Sequence, residues 1–146
     1  MRTLALTALL FAVTTGATFA ADSAPDGYWP AGARIYIISP KSGAKVTSPV
    51  TIKFGHKGFN LAPSGDKTPS TGHFHLLIDQ ALPADLTMPL PMTPNLLHYG
   101  KAQTEVTLDA TQLPPGKHTL QLVMGDGSHV PHSPALVSRK ITITVE

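Results

Sequence analysis

Residues 72–79 read Gly-His-Phe-His-Leu-Leu-Ile-Asp, and their alternation decides the class of fold. Phe74, Leu76 and Ile78 recur at every second position, the period of a strand and not of a helix. They form one apolar face, which leaves His73, His75, Leu77 and Asp79 together on the other. The same pattern recurs on both sides of this stretch. Residues 50–54 (VTIKF) turn Val50, Ile52 and Phe54 one way, and residues 104–108 (TEVTL) pair Val106 with Leu108. Residues 117–124 (KHTLQLVM) align His118, Leu120, Leu122 and Met124. Residues 33–39 (ARIYIIS) and 140–145 (KITITV) complete the strong segments, with weaker pieces near Lys45 and Phe59. Turn-forming clusters such as residues 40–43 (PKSG) separate them, and no amphipathic helix interrupts the series. About seven short strands spaced by turns is the pattern of an all-β sandwich.

The first twenty residues have a different character. Arg2 precedes an apolar stretch over residues 4–13 (LALTALLFAV), and small residues lead to Thr18-Phe19-Ala20. That is the layout of a signal peptide over residues 1–20, too short in its apolar part for a membrane helix of about 20 residues. The expectation is export to the periplasm or secretion, with no transmembrane segment after cleavage. Residues 21–32 (ADSAPDGYWPAG) read as an extended leader pinned to the domain by Tyr28 and Trp29, and residues 33–146 as that single domain. The formal net charge of +2 includes Arg2, and no run of Lys or Arg occurs, which removes the electrostatic basis for binding nucleic acid. Cysteine is absent, so thiolate ligands and cysteine catalysis are excluded. A metal site in this chain must use His, Met, carboxylate or backbone atoms.

Seven histidines stand in 146 residues, and the His73/His75 pair is placed to converge on one ion because both project from the same side of a strand. The competing explanation is that the pair decorates a solvent face. His98 follows a proline-rich segment, residues 81–97 (ALPADLTMPLPMTPNLL), which lacks alternation and reads as a long functional or mobile loop. His129 and His132 sit on a Gly- and Pro-punctuated loop, with Asp126 placed to orient the His129 ring. His118 shares the inward face of its segment, where a structural hydrogen bond competes with metal ligation. His56 follows a strand beside Lys57 and is expected to be exposed and inert. The metal-ligand candidates are therefore His73, His75, His98, His118 and His129. Imidazoles suit Zn²⁺ and Cu²⁺ alike, while thioethers from Met88 and Met92 would favour copper over zinc. No Gly-x-Ser-x-Gly elbow, phosphate loop or His-Glu-x-x-His motif is present. The leading expectation is a metal-binding protein for sequestration or delivery. An envelope interaction module with structural histidines and an envelope protein partner comes second, and a small hydrolase last.

Two resemblances add to this reading. Residues 39–54 (SPKSGAKVTSPVTIKF) and 113–126 (LPPGKHTLQLVMGD) resemble paired segments of bacterial immunoglobulin-like domains, implying a single immunoglobulin-like β-sandwich. In that resemblance His118 takes the place of a tyrosine that bonds back to the chain at a strand corner. Residues 71–79 (TGHFHLLID), 98–109 (HYGKAQTEVTLD), 114–134 (PPGKHTLQLVMGDGSHVPHSP) and 137–145 (VSRKITITV), in this order, resemble the bacterial family catalogued as domain of unknown function 4399. That family's usual run of three histidines has Phe74 at its middle position here. The resemblance implies a small exported protein whose motif histidines are His73, His75, His98, His118 and His129, with His132 a weaker addition. It implies no activity.

Overall fold

A computed structural model describes residues 26–146. The expected signal peptide, with the leader up to residue 25, lies outside the described residues. Within them are nine strands and no helix: β1 (Arg34–Ser39), β2 (Lys45–Val46), β3 (Val50–Lys57), β4 (Asn60–Leu61), β5 (Thr71–Ile78), β6 (Leu96–Tyr99), β7 (Glu105–Leu108), β8 (Gly116–Gly125) and β9 (Ile141–Val145). No helix among the described residues is long and apolar enough to cross a membrane.

The strands form two sheets. One has the order β1-β3-β7, and the other runs β2-β9-β8-β5, with β4 and β6 both pairing β5. This is the strand arrangement of an immunoglobulin-like sandwich, and the parallel β2–β9 pair marks where the first part of the chain crosses from one sheet to the other. The alternating residues explain why the sheets meet as they do. Val50, Ile52 and Phe54 of β3 face Phe74, Leu76 and Ile78 of β5 and Leu120, Leu122 and Met124 of β8, all buried. Phe54 stands 5.1 Å from Phe74 and 5.5 Å from Tyr99, ring centre to ring centre, so an aromatic cluster joins the two layers. Trp29 joins this core from the leader, its indole N–H donating to the Pro131 carbonyl at 2.7 Å. The Tyr28 hydroxyl donates to the Thr71 carbonyl at 3.0 Å, and its ring stacks on His132.

A second, smaller apolar cluster covers the opposite face of the same sheet. Leu77 and Val123 project outward from β5 and β8 and are buried by Leu90 and Leu96, with Leu82, Leu86 and Val137 around them. The proline-rich segment is thus neither a bare loop nor mobile cover of unspecified position. Its leucines pack onto the sheet, and its end forms β6, a strand absent from the sequence-based expectation. Four prolines before Leu96 break any alternation that would reveal a strand, and β6 exists because it adds to the edge of β5. Every residue of β5 is buried as a result.

Candidate metal centre

Three pieces of local structure deliver the four histidines of the site. His73 and His75 project from the outer face of β5, as strand alternation requires. The β5–β6 register sets His98 directly opposite His75. The β5–β8 register sets Gly125 opposite His73, and the turn that follows returns His129 over the same spot. Asp126 shapes that turn: its Oδ1 accepts the N–H groups of Ser128 and Val130 at 2.8 and 2.9 Å. The Leu90 N–H donates to the His129 carbonyl at 2.9 Å, fastening the leucine cover to the turn. A side chain at position 125 would put its Cβ 2.9 Å from the His75 ring and 3.1 Å from His129 Cα, so only glycine lets ring and turn approach this closely.

The result is a compact tetrad. One ligand atom from each of His73, His75, His98 and His129 lies within 4.8 Å of every other. All six pairs of ring centres fall between 4.8 and 5.7 Å. His98 Nε2 is 3.1 Å from His73 Nε2 and 3.2 Å from His129 Nε2. Four nitrogens held tetrahedrally about 2.0–2.1 Å from one ion would stand about 3.3–3.4 Å apart, close to these separations. Hydrogen bonding alone does not satisfy the group. A neutral ring nitrogen carries either one proton or one lone pair, so His98 Nε2 cannot donate to one neighbour while accepting from the other. The buried Nδ1 atoms of His73 and His75 have no partner among the described residues. A cation at the centre would take the ring lone pairs that converge there, with each ring's proton on its other nitrogen. This donor set, four imidazoles without carboxylate, fits a transition metal and not a hard cation.

Protons are poor substitutes for that cation. Burial, reinforced by the neighbouring imidazoles His98 and His129, lowers His73 to about 4. Burial and the same crowding by His73, His98 and His129 lower His75 to about 3. His98 is lowered too, by burial and then by His129. His73 and His75 are 0% and 3% exposed, so they do not decorate a solvent face. A cleft of about 290 Å³ opens beside the tetrad, walled by His75, His98 and His129 and by Leu90, Met92 and Leu96 of the loop segment. Met92 is 99% exposed at its rim. Met88 is exposed without lining this cleft.

The other histidines are placed elsewhere. His118, expected among the ligand candidates, lies outside the tetrad. Its Nε2–H donates to the Pro114 carbonyl at 2.8 Å and its Nδ1–H to Asp79 Oδ2 at 2.6 Å. Burial opposes the charge, yet these two acceptors win and raise His118 above its ordinary value. The ring therefore bonds back to the chain four residues upstream, the service a corner tyrosine gives in this kind of fold. The ring of His132 spans Asp26 and Asp126 at 2.8 and 3.0 Å, tying the leader to the turn. Asp126 thus engages His132 and not the His129 ring. His56 is half-buried and donates from Nδ1 to the Phe59 carbonyl at 3.2 Å. Ser64 was not singled out in the sequence: its Oγ is 3.1 Å from His129 Nε2, brought there by a turn whose Ser64 N–H donates to the Gly100 carbonyl. Nothing in its local residues signals this, because the contact spans 65 positions. Serine and histidine at that distance suit a nucleophile and its base, but no carboxylate among the described residues orients the His129 ring.

No curated protein matches the chain. The family described as a domain of unknown function (DUF4399) matches residues 52–146, a span that holds β5, β6, β8 and all four histidines of the tetrad. On that match the chain belongs to the DUF4399 family.

Proposed function

We propose that this protein binds one transition-metal ion at His73, His75, His98 and His129, copper in preference to zinc, and sequesters or delivers it in the periplasm or outside the cell. The observation that carries the reading is the convergence of four imidazoles within 4.8 Å, with the Nε2 atoms of His73 and His129 at 3.1 and 3.2 Å from that of His98. Such a donor set binds Cu²⁺ more tightly than other divalent ions of its row, and the Met92 thioether at the cleft rim adds a soft donor suited to Cu(I). The absence of cysteine and the signal-like residues 1–20 accord with an exported carrier. Binding without catalysis is the better account, since among the described residues no positioned base accompanies the tetrad beyond the rings themselves.

The test is elemental analysis of protein purified without a histidine tag, followed by titration with Cu(I), Cu(II) and Zn(II). The expected result is about one equivalent of metal, lost in His98→Ala/His129→Ala. Those two rings sit on the more open side of the tetrad, so far-UV circular dichroism should show the sandwich intact. No metal above background, with micromolar or weaker binding of all three ions, refutes the proposal.

A further inference from the structure

Two edges face each other on the side of the sandwich away from β6, one a strand and one an irregular stretch, and among the described residues neither has a backbone partner on its open side. β1 is the outer strand of its sheet and pairs with β3 alone. No other backbone hydrogen bond among the described residues reaches Arg34–Ser39. Opposite it runs the stretch leading into β9. There the ladder with β8 passes from Leu120↔Ile141 to Val123↔Val137, three steps on one strand against four on the other. Arg139 and Lys140 stand in the resulting bulge. β2 pairs β9 at Thr144 and Val145, and the Gly43 N–H just before it reaches the Thr142 carbonyl, which leaves the stretch before Thr142 uncovered.

Between the two edges lies a groove of about 660 Å³. Residues 34–37 line one wall, and Val137 with residues 139–141 the other. Successive side chains of a strand point to opposite faces, so four consecutive residues line one groove only when it follows the strand's own edge. The groove therefore exposes backbone as well as side chains. Its three charged groups, Arg34, Arg139 and Lys140, are all cationic and exposed, and none has an ion-pair partner among the described residues. On the outer face of β1, Tyr36 and Ile38 are 43% and 42% exposed, large apolar side chains at alternate positions.

We propose that this groove is a docking site for an extended, acidic segment of another protein, which adds as a strand along the free edge of β1. Backbone pairing supplies the recognition of an extended chain, and Tyr36 and Ile38 receive its alternate side chains. The cation trio selects acidic residues beside them. A second copy of this chain is disfavoured as occupant because it would set the same three cations against each other. Cations and a bulge also discourage edge-to-edge association, which is the competing role for these residues. The proposal does not rest on the metal site, which lies at the β5–β6 edge, across β8 and β5 from the groove wall that precedes β9.

The experiment measures fluorescence anisotropy of a labelled nine-residue peptide of alternating valine and glutamate, titrated with the protein at low salt. Saturable binding is expected, weakened by about tenfold or more in Arg34→Glu/Arg139→Glu/Lys140→Glu. All three side chains are exposed, so the variant should keep the wild-type circular dichroism. Methylating alternate backbone nitrogens of the peptide should weaken binding comparably, because it removes strand pairing and leaves the charge. Equal affinity for the methylated peptide would reduce the site to a general cationic patch and overturn the proposal. So would unchanged binding by the triple variant, or no binding up to about 1 mM, the weak end of specific association. A concentration-dependent dimer in sedimentation that the triple variant alters would make the groove a self-interface, which also overturns it.

Discussion

Replacing His129 with glycine separates two contributions of that residue. Its φ of +68° lies in the left-handed region, where a side chain with a Cβ costs roughly 1–2 kcal/mol. His129→Gly removes that strain and the ring together, whereas His129→Ala removes the ring and keeps the strain. Without metal, the glycine variant should exceed the alanine variant by about 1 kcal/mol in urea unfolding. The metal response should move the other way. At free metal a hundredfold above its Kd, the wild type gains about 2.7 kcal/mol. At about 3–5 °C per kcal/mol for a fold of this size, that raises Tm by about 8–13 °C. Losing one of four ligands should weaken binding by about a hundredfold or more, as even loss of an outer hydrogen-bond partner costs 10–100-fold. At the same free metal the gain then falls to about 0.4 kcal/mol, a Tm shift of about 1–2 °C. Differential scanning calorimetry of the metal-free and metal-loaded forms reads both quantities. A full metal-induced shift in His129→Gly would remove His129 from the site and break the tetrad. Equal stability of the metal-free glycine and alanine variants would show that the backbone at 129 stores no strain.

His118→Ala should cost about 1–2 kcal/mol through its two lost hydrogen bonds, a figure held down because Asp79 is 41% exposed, and should leave metal stoichiometry unchanged in titration. That cost should depend on pH. His118 is raised above 6.5 in the folded protein, so its share is full below about 6.5 and is lost as pH rises through the raised value. Burial works against the Asp79 charge, but the Thr119 N–H and His118 hold its carboxyl below 3.8, so its share is present above about 3.8 and is lost as pH falls through the lowered value. The gap between wild type and His118→Ala in urea unfolding should therefore peak between about pH 4 and 6.5 and shrink toward pH 9; a flat gap would rule out the charged pair. Met92→Ala should weaken Cu(I) binding in competition titrations while leaving Zn(II) affinity and Tm unchanged, since Met92 is fully exposed. Leu90→Ala should destabilise by about 2 kcal/mol and speed exchange of the residue 90 amide, whose N–H donates to the His129 carbonyl.

Alternation over residues 50–54, 72–79 and 117–124 was enough to place the core, because a two-residue period leaves each apolar side chain one face to occupy. The same rule put His73 and His75 side by side, and the lack of cysteine confined any metal to nitrogen, oxygen and thioether ligands. What lay over that face was not legible. Whether His73 and His75 meet water or are sealed depends on where residues 81–97 return, and proline-broken sequence carries no period to say so. His98 reaches the pair through the β5–β6 register, and His129 through a turn closing on β8, contacts between segments far apart in the chain. In sequence His118, on the inward face of its strand, and His129, on a loop, both stand as ligand candidates, with a structural hydrogen bond as the alternative for His118. Only the tertiary structure separates them, because Asp79 and Pro114 occupy both nitrogens of His118 while His129 is left facing three other imidazoles. Local periodicity fixes which way a side chain points; what it points at is set by chain segments that meet only when the sheet closes.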